Sequence, residues 1–535
     1  MKFKDKARQY GGYVKNLLIP ALLFGFVTGA ATAVAVTFYK LCAKYVVKLS
    51  MQGYAVLRDN LYYIPIVIVG LFLVSVAFHY VYEKFPNIKG GGISTSIAIL
   101  RGIITFKWLR SLIGTFVASL VSFLLGVPLG TEGPAVQIGT SIGRGGVKLF
   151  GKKHRAWDRY SMTGGACAGF SVATGAPISG IMFALEEAHQ RISPNIIMVA
   201  SSSVMFSNII SKIISPIFGV SETLFEIPTL PILNIYQYWI PVVIGLLIGI
   251  FSMLFLRYYS LVGSLVRNAL GKIPGAVKMF AVLVLTMIAG IVSSNYISTG
   301  HDLIIELFAN NETVWTLALI LLIRATLTVC ANVNGLTGGT FLPVLALGAL
   351  VASIIGEGLL ALGVDSELYT TILVLGITAC ISGGMKMPIT AIVFSVEALS
   401  CYSNIISVII VSFISFSVTE LLDVESINDV ALEVCTVKEE AVAKIVTIDT
   451  CVTVQQNAFA IGRQIRDIFW PHNLFVLSVR HGEEKAHVDQ HGGREIREGD
   501  ILHVRYSTWN EEETREELIA IVGEQEISKK VTENV

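Results

Sequence analysis

The chain has 535 residues, 53% of them hydrophobic and 15% charged, with a formal net charge of +1 and a mean hydropathy of +0.67. That balance excludes a soluble domain as the main body and indicates a polytopic membrane protein. The charge is uneven: residues from Glu433 onward carry 12 basic and 19 acidic side chains, whereas the apolar body before them is mildly basic. No basic patch points to nucleic acid. The 7 cysteines form no CxxC or Cys/His cluster, so neither a metal site nor a disulfide framework is expected.

Residues 1–16 read as a short basic amphipathic helix on the membrane surface. Lys2, Lys4, Lys6, Arg8 and Lys15 against Asp5 place the N-terminus in the cytoplasm, with no signal-peptide pattern. Apolar runs that could enter a bilayer follow at Leu17–Thr37, Ile64–Val81, Ile240–Leu256, Met279–Val292, Leu317–Cys330, Leu342–Leu362, Thr371–Cys380 and Ile405–Val418. Arg324 and Glu357 lie inside two of them. Several runs are shorter than about 20 residues, or hold Gly and Pro, which predicts tilted or discontinuous helices.

Between the second and third apolar stretches, Gly90-Gly91-Gly92-Ile93-Ser94 predicts a tight turn into a short helix, its amides open to a ligand. An uncharged run, Ser111 to Leu129, leads into Gly130-Thr131-Glu132-Gly133-Pro134. The glycines allow close backbone approach and Pro134 suits a first helical turn, so Glu132 is predicted at a helix start inside the membrane. An ionisable group there is a functional-site candidate. A stretch dense in small residues then runs to Ala176-Pro177, and the helix that follows ends in the adjacent acids Glu186 and Glu187.

The body repeats itself. Met387–Glu397 matches Ala176–Glu186 at an offset of 211, and Gly339–Gly348 matches Gly130–Gly139 at an offset of 209. Two related halves, about 20–220 and about 230–430, are predicted. Repeats of this kind place a substrate site at their interface, and broken helices aim positive N-terminal ends at anions. The expected anion pathway is lined by Gly91–Ser94, Gly130–Gly133 and Gly338–Phe341. The repeat also sorts the acids: Glu186 has a twin in Glu397 and is predicted structural. Glu187 and Glu132 align with Ala398 and Phe341, have no twins, and are the functional candidates.

These motifs resemble those of the CLC family of chloride channels and proton-coupled anion transporters. Gly130–Pro134 resembles its G-[KR]-E-G-P motif, Gly339–Pro343 its GxFxP motif, and Gly90–Ser94 its GSGIP motif. The resemblance covers about residues 20–432, within a transmembrane domain predicted at 17–432. It implies an all-α membrane fold with two inverted repeats of tilted and re-entrant helices, a homodimer, and one pathway per subunit. It implies that Glu132 gates the pathway, its carboxylate competing with the anion when ionised and withdrawing when protonated. It implies anion contacts at Gly91, Gly92, Ile93, Thr340, Phe341 and Asn428, and a proton-passing role for Glu187. The expected function is exchange of a small monovalent anion, chloride first, for protons; the alternative is a passive anion channel of the same fold. No enzyme activity and no cofactor are expected. The chain departs from the family at Thr131 (usually basic), Gly91 (serine), Ser94 (proline) and Asn428 (tyrosine). Both central side chains are changed, so bromide, nitrate, fluoride and bicarbonate stay open as substrates.

From about Cys435 the pattern turns soluble. Strands are predicted at Ala443–Ile448, Leu474–Arg480 and Ile501–Tyr506, and a helix at Ala458–Phe469. The segment 436–523 is similar to the TrkA-C (RCK-C) domains of potassium-uptake regulators, which implies dimer support or a small ligand such as a nucleotide, on the cytoplasmic side. Residues 524–535 are expected to be a disordered tail.

Overall fold

The computed structural model describes residues 14–90, 92–149, 151–227, 229–309, 312–440, 446–482, 492–508, 510–525 and 530–532. The basic segment 1–13 and Gly91 lie outside them. Among the described residues, nine helices are long and apolar enough to cross a membrane.

Eight helices form the first half. They are α1 (Ile19–Asp59), α2 (Ile64–Lys84), α3 (Ile93–Arg101), α4 (Trp108–Leu124), α5 (Glu132–Leu149), α6 (Asp158–Thr174), α7 (Pro177–Phe183) and α8 (Pro194–Phe218). Eight more repeat the order: α9 (Trp239–Asn268), α10 (Gly275–Val292), α11 (His301–Ala309), α12 (Val314–Val333), α13 (Phe341–Ala361), α14 (Tyr369–Met385), α15 (Pro388–Glu397) and α16 (Ile405–Leu421). The first run, expected to end at Thr37, continues as one helix to Asp59. At 41 residues it is about 60 Å long, twice a bilayer's hydrocarbon core. The 9-residue α3 and α11 and the 7-residue α7 are too short to cross.

The halves meet back to back. Gly130 and Gly339 form an antiparallel bridge, Gly130 N–H donating to Gly339 O at 2.6 Å and Gly339 N–H to Gly130 O at 2.8 Å. The repeat predicted at an offset of 209 is thus a contact between its two copies. A second reciprocal pair ties α7 to α15. The Glu186 carboxylate accepts from Ile389 N, Thr390 N and Thr390 Oγ1 at 2.7–3.0 Å. Glu397 accepts from Ile178 N, Ser179 N and Ser179 Oγ at 2.8 Å each. Each acid thus caps the other half's proline-led helix, satisfying amides that a helix leaves bare and meeting the positive end of its dipole. Arg324 is 1% exposed and gives its guanidinium to the carbonyls of Asn295, Ile297 and Ser298, pinning the turn before α11.

Helix α17 (Ile427–Glu440) leads to the C-terminal domain. Its strands are β1 (Val446–Thr453), β2 (Leu474–His481), β3 (Asp500–Thr508) and β4 (Lys530–Thr532), in an antiparallel sheet ordered β2-β3-β1-β4, with helix α18 (Glu511–Val522) packed on it. Two expectations are corrected here. Ala458–Phe469 is no helix: Asn457 and Gly462 take positive φ, and only Ile465–Asp467 makes a 3-10 turn. Tertiary contact overrides its apolar spacing, for Phe459 and Phe469 leave the segment to pack on Trp157 and Tyr160. In the segment expected to be a disordered tail, Lys530–Thr532 forms a strand along the edge of β1, and residues 526–529 and 533–535 lie outside the described residues.

Candidate functional site

Three glycine-rich helix starts converge between the halves. A Cβ on Gly133 would lie 2.5 Å from Gly339 Cα and 3.0 Å from Gly92 Cα, so the loops entering α3, α5 and α13 touch backbone to backbone. Only glycine allows that approach. The N-terminal ends of these helices bring their unpaired amides and positive dipole ends to one place. Beside that contact lies a cavity of about 10 Å³, lined from the α3 and α13 starts and not from α5, with room for roughly one water-sized occupant. Gly92, Ile93, Ser94, Gly339, Thr340 and Asn332 are among its lining residues.

Of the expected anion-contact residues, Gly91 lies outside the described residues, and the other five gather at or near the cavity. Gly92, Ile93 and Thr340 line the cavity. Phe341 is fully buried behind it, edge-on to Phe170 at 5.1 Å and to Phe394 at 5.3 Å, a rigid aromatic wall. Asn428, in the first turn of α17, is also fully buried and accepts at Oδ1 from Ser94 Oγ at 3.3 Å. It reaches the site through Ser94 rather than lining the cavity itself. Asn332 was missed in the sequence. It receives the Tyr259 hydroxyl at its Oδ1, and its one signal was a polar residue at the end of the α12 apolar run.

Glu132 opens α5 as expected and is fully buried. Thr131 Oγ1 donates to its Oε1 at 3.0 Å, while Oε2 has no hydrogen-bond partner among the described residues. The carboxylate folds back over its own loop: a Cβ on Gly130 would meet Oε2 at 2.6 Å. Thr131, noted as a departure from the family's motif, therefore supplies a hydroxyl that grips the acid directly. The basic side chains that act on Glu132 are Lys40 on α1 and His301 at the head of α11. Lys40 Nζ is held by the carbonyls of Val172 and Ser221, and His301 Nε2 by that of Leu224.

Glu187 lies on the other side, towards the C-terminal domain, and is 3% exposed. Helix α7 passes into a π-helical turn over Ala184–Ala188, which turns Glu187 inward while Glu186 keeps its place opposite α15. Extra turns of this kind are frequent at functional sites. Glu187 Oε1 accepts from Asn428 Nδ2 at 3.0 Å. Arg101, ending α3, donates to the Glu187 and Ala188 carbonyls and faces Asp429 at 3.4 Å. His189, two residues after Glu187, is engaged with Thr163 at 2.8 Å and lies on Phe469, centroids 4.5 Å apart.

The C-terminal domain seats on this same side. Tyr160 Oη donates to Asp467 O at 2.7 Å, Arg159 to Trp470 O at 2.8 Å, and His472 Nδ1 to Arg101 O at 3.2 Å. Arg144 and Arg159 also face Glu513 and Glu517 of α18.

Broken helices aimed at a shared cavity, in two inverted halves, with a buried acid on either side, define a membrane protein of the channel and transporter class. The chain belongs to the voltage gated chloride channel family, the CLC family, whose model matches residues 70–420. It is 26% identical over 431 residues to the "H(+)/Cl(-) exchange transporter ClcA" of Klebsiella pneumoniae (strain 342), covering 79% of this chain and 90% of the relative. It is 29% identical over 402 residues to that of Citrobacter koseri, covering 74% and 83%. A slow cyanobacterial Cl-/H+ antiporter shares the fold with a TM-score of 0.68 at 23% identity, covering 79% of this chain and 98% of that one. A CLC-type fluoride/proton antiporter does so with 0.62 at 18%, covering 77% and 98%.

Proposed function

We propose that this protein exchanges a small monovalent anion, chloride first, for protons across a membrane. The observation that carries this is Glu132: a fully buried acid with an unpartnered oxygen, held against the place where three helix starts meet. Ionised, its carboxylate is itself an anion beside amides suited to one. Protonated, it loses that attraction and yields the place. Gly92, Ile93, Thr340 and Phe341 hold the anion in this reading, with Gly91, next to Gly92 in sequence, and Asn428 behind Ser94. Glu187 passes protons between the inner solution and the gate. The relatives named as H(+)/Cl(-) exchangers support the substrate pair.

Both termini are cytoplasmic in this reading, supported by the basic N-terminal residues. The protein is a homodimer. The first turns of α7 and α15 leave Ile178 and Ile389 half exposed in one protomer, beside the carboxylates of Glu397 and Glu186, which lipid tails cannot solvate. The C-terminal domain regulates transport, either by supporting the dimer or by binding a small ligand such as a nucleotide. Its seat next to Arg101 supports that role.

The test is anion and proton flux by the purified protein in liposomes over a panel of anions. A pH gradient should shift the reversal potential; no shift would assign a passive channel instead.

A further inference from the structure

Asn428 joins the acid on the inner side to the cavity between the halves. Its Nδ2 donates to Glu187 Oε1 at 3.0 Å and its Oδ1 accepts from Ser94 Oγ at 3.3 Å. An ionised carboxylate can only accept, so the amide nitrogen must face Glu187 and the carbonyl must face Ser94. Ser94 lines the cavity, one residue beyond Ile93. Its single hydroxyl proton is thus turned away from the cavity while Glu187 is ionised.

Resting on the antiport reading above, we propose that Asn428 is a positioning residue that links the proton on Glu187 to the hydrogen-bond donors offered to the anion. A proton on Glu187 turns the carboxylate from a pure acceptor into a group with its own O–H. The remaining carbonyl oxygen holds Asn428 only by a weaker, neutral hydrogen bond, so its carboxamide can turn and the Ser94 hydroxyl can face the cavity. An anion in the cavity therefore favours the protonated Glu187, and by linkage the proton favours the anion. A tyrosine at this position has no amide to give the carboxylate.

The surroundings of Glu187 leave this duty to Asn428. Among the described residues, Asn428 is the one side chain donating to its carboxylate. Arg101 of α3 spends its guanidinium on two carbonyls and on Asp429. Asp429 of α17 is also held by Ser426 Oγ at 2.8 Å. Glu186 is engaged by α15, and His189 by Thr163 of α6 and Phe469 of the C-terminal domain.

The experiment measures chloride affinity by calorimetry over a pH series, alongside proton and chloride flux in liposomes. It compares the full chain with Asn428→Ala, Asn428→Asp, Glu187→Gln and the Asn428→Ala/Glu187→Gln double variant. In the parent, chloride affinity should vary with pH. Asn428→Ala should flatten that dependence and lower the proton-to-chloride flux ratio by roughly tenfold, the usual worth of a hydrogen bond to an ionised group. Glu187→Gln should flatten it equally, and the double variant should add nothing, as for two residues acting as one unit. Asn428→Asp keeps the shape but donates only when protonated, so it should move the pH profile rather than abolish it. Asn428→Tyr, checked by gel filtration and chloride flux, controls for folding. An Asn428→Ala variant with the parent's pH dependence, or losses that add in the double variant, would overturn the proposal. If the parent carried chloride without protons, the antiport reading would fail, while the calorimetric comparison would still judge Asn428.

Discussion

Glu186 and Glu397 act alike in the two halves, whereas Glu132 and Phe341, at matched helix starts, do not. The first pair exchanges the same three hydrogen bonds in each direction between α7 and α15. At the second pair of positions, one half presents a buried carboxylate and the other an aromatic wall. A further asymmetry follows Glu186: the first half inserts a π-helical turn and places Glu187 beside Asn428, while α15 stays α-helical to Glu397. Symmetry marks the frame, and departures from it mark the chemistry. A frame needs the same contacts twice, but a proton path needs acids in one line only.

Four measurements can break or sharpen that contrast. The largest effect is expected at Glu132, the proposed gate. Glu132→Gln fixes the neutral form and should lower anion-driven proton flux by ~10²-fold or more, the scale of losing a proton-transfer group. Liposome flux reads this directly, and unchanged proton flux would remove Glu132 from the path. Glu187→Gln should lower proton flux by roughly tenfold or more while anion flux continues, because it lies off the proposed anion site. Persistent proton movement there would point to another inner route.

The scaffold predicts equality instead. Glu186→Ala and Glu397→Ala each strand two helix-start amides and a hydroxyl. Each should cost about 2–4 kcal/mol, and by nearly the same amount. Thermal unfolding in detergent measures this, and a large gap between the two variants would deny that the clamp is symmetric.

The smallest effect is expected far from the repeats. Burial opposes the charge on Asp449, but hydrogen bonds from Arg505 at 2.7 Å and with His503, together with their positive charge, outweigh it and hold the carboxyl below its ordinary value. The folded pKa is below the unfolded one. The stabilisation is therefore present above the ordinary carboxylate range and lost as pH falls through the folded value. Asp449→Asn should remove that acid-side loss in the sheet domain, with little change at neutral pH, since the group is near the surface. Hydrogen exchange of β1 and β3 over a pH series checks it.

Much of the site was legible along the chain because its chemistry is local. Gly130-Thr131-Glu132-Gly133-Pro134 spells a helix start with an acid in it, and the twin stretch at Gly339 exposed that acid as an addition. What was not legible depends on groups far apart in sequence. Nothing near Glu397 says that it caps Ser179, 218 residues away. Nothing near Asn428 says that it faces Glu187, 241 residues away. The misread segment Ala458–Phe469 had helical spacing, yet its aromatic residues were committed to Trp157 and Tyr160 on another domain.

The sequence by itself determined a two-fold membrane body, its helix starts and the two acids without twins. Those features follow from hydrophobic run length, from glycine and proline backbone limits, and from the cost of an ionisable group in a bilayer. Only the tertiary structure decided where the acids lead. The meeting of Gly92, Gly133 and Gly339, the turn of Glu187 towards Asn428, and the seat of the C-terminal domain at Arg101 are long-range contacts. Their directions are set by packing between helices, which no local pattern encodes.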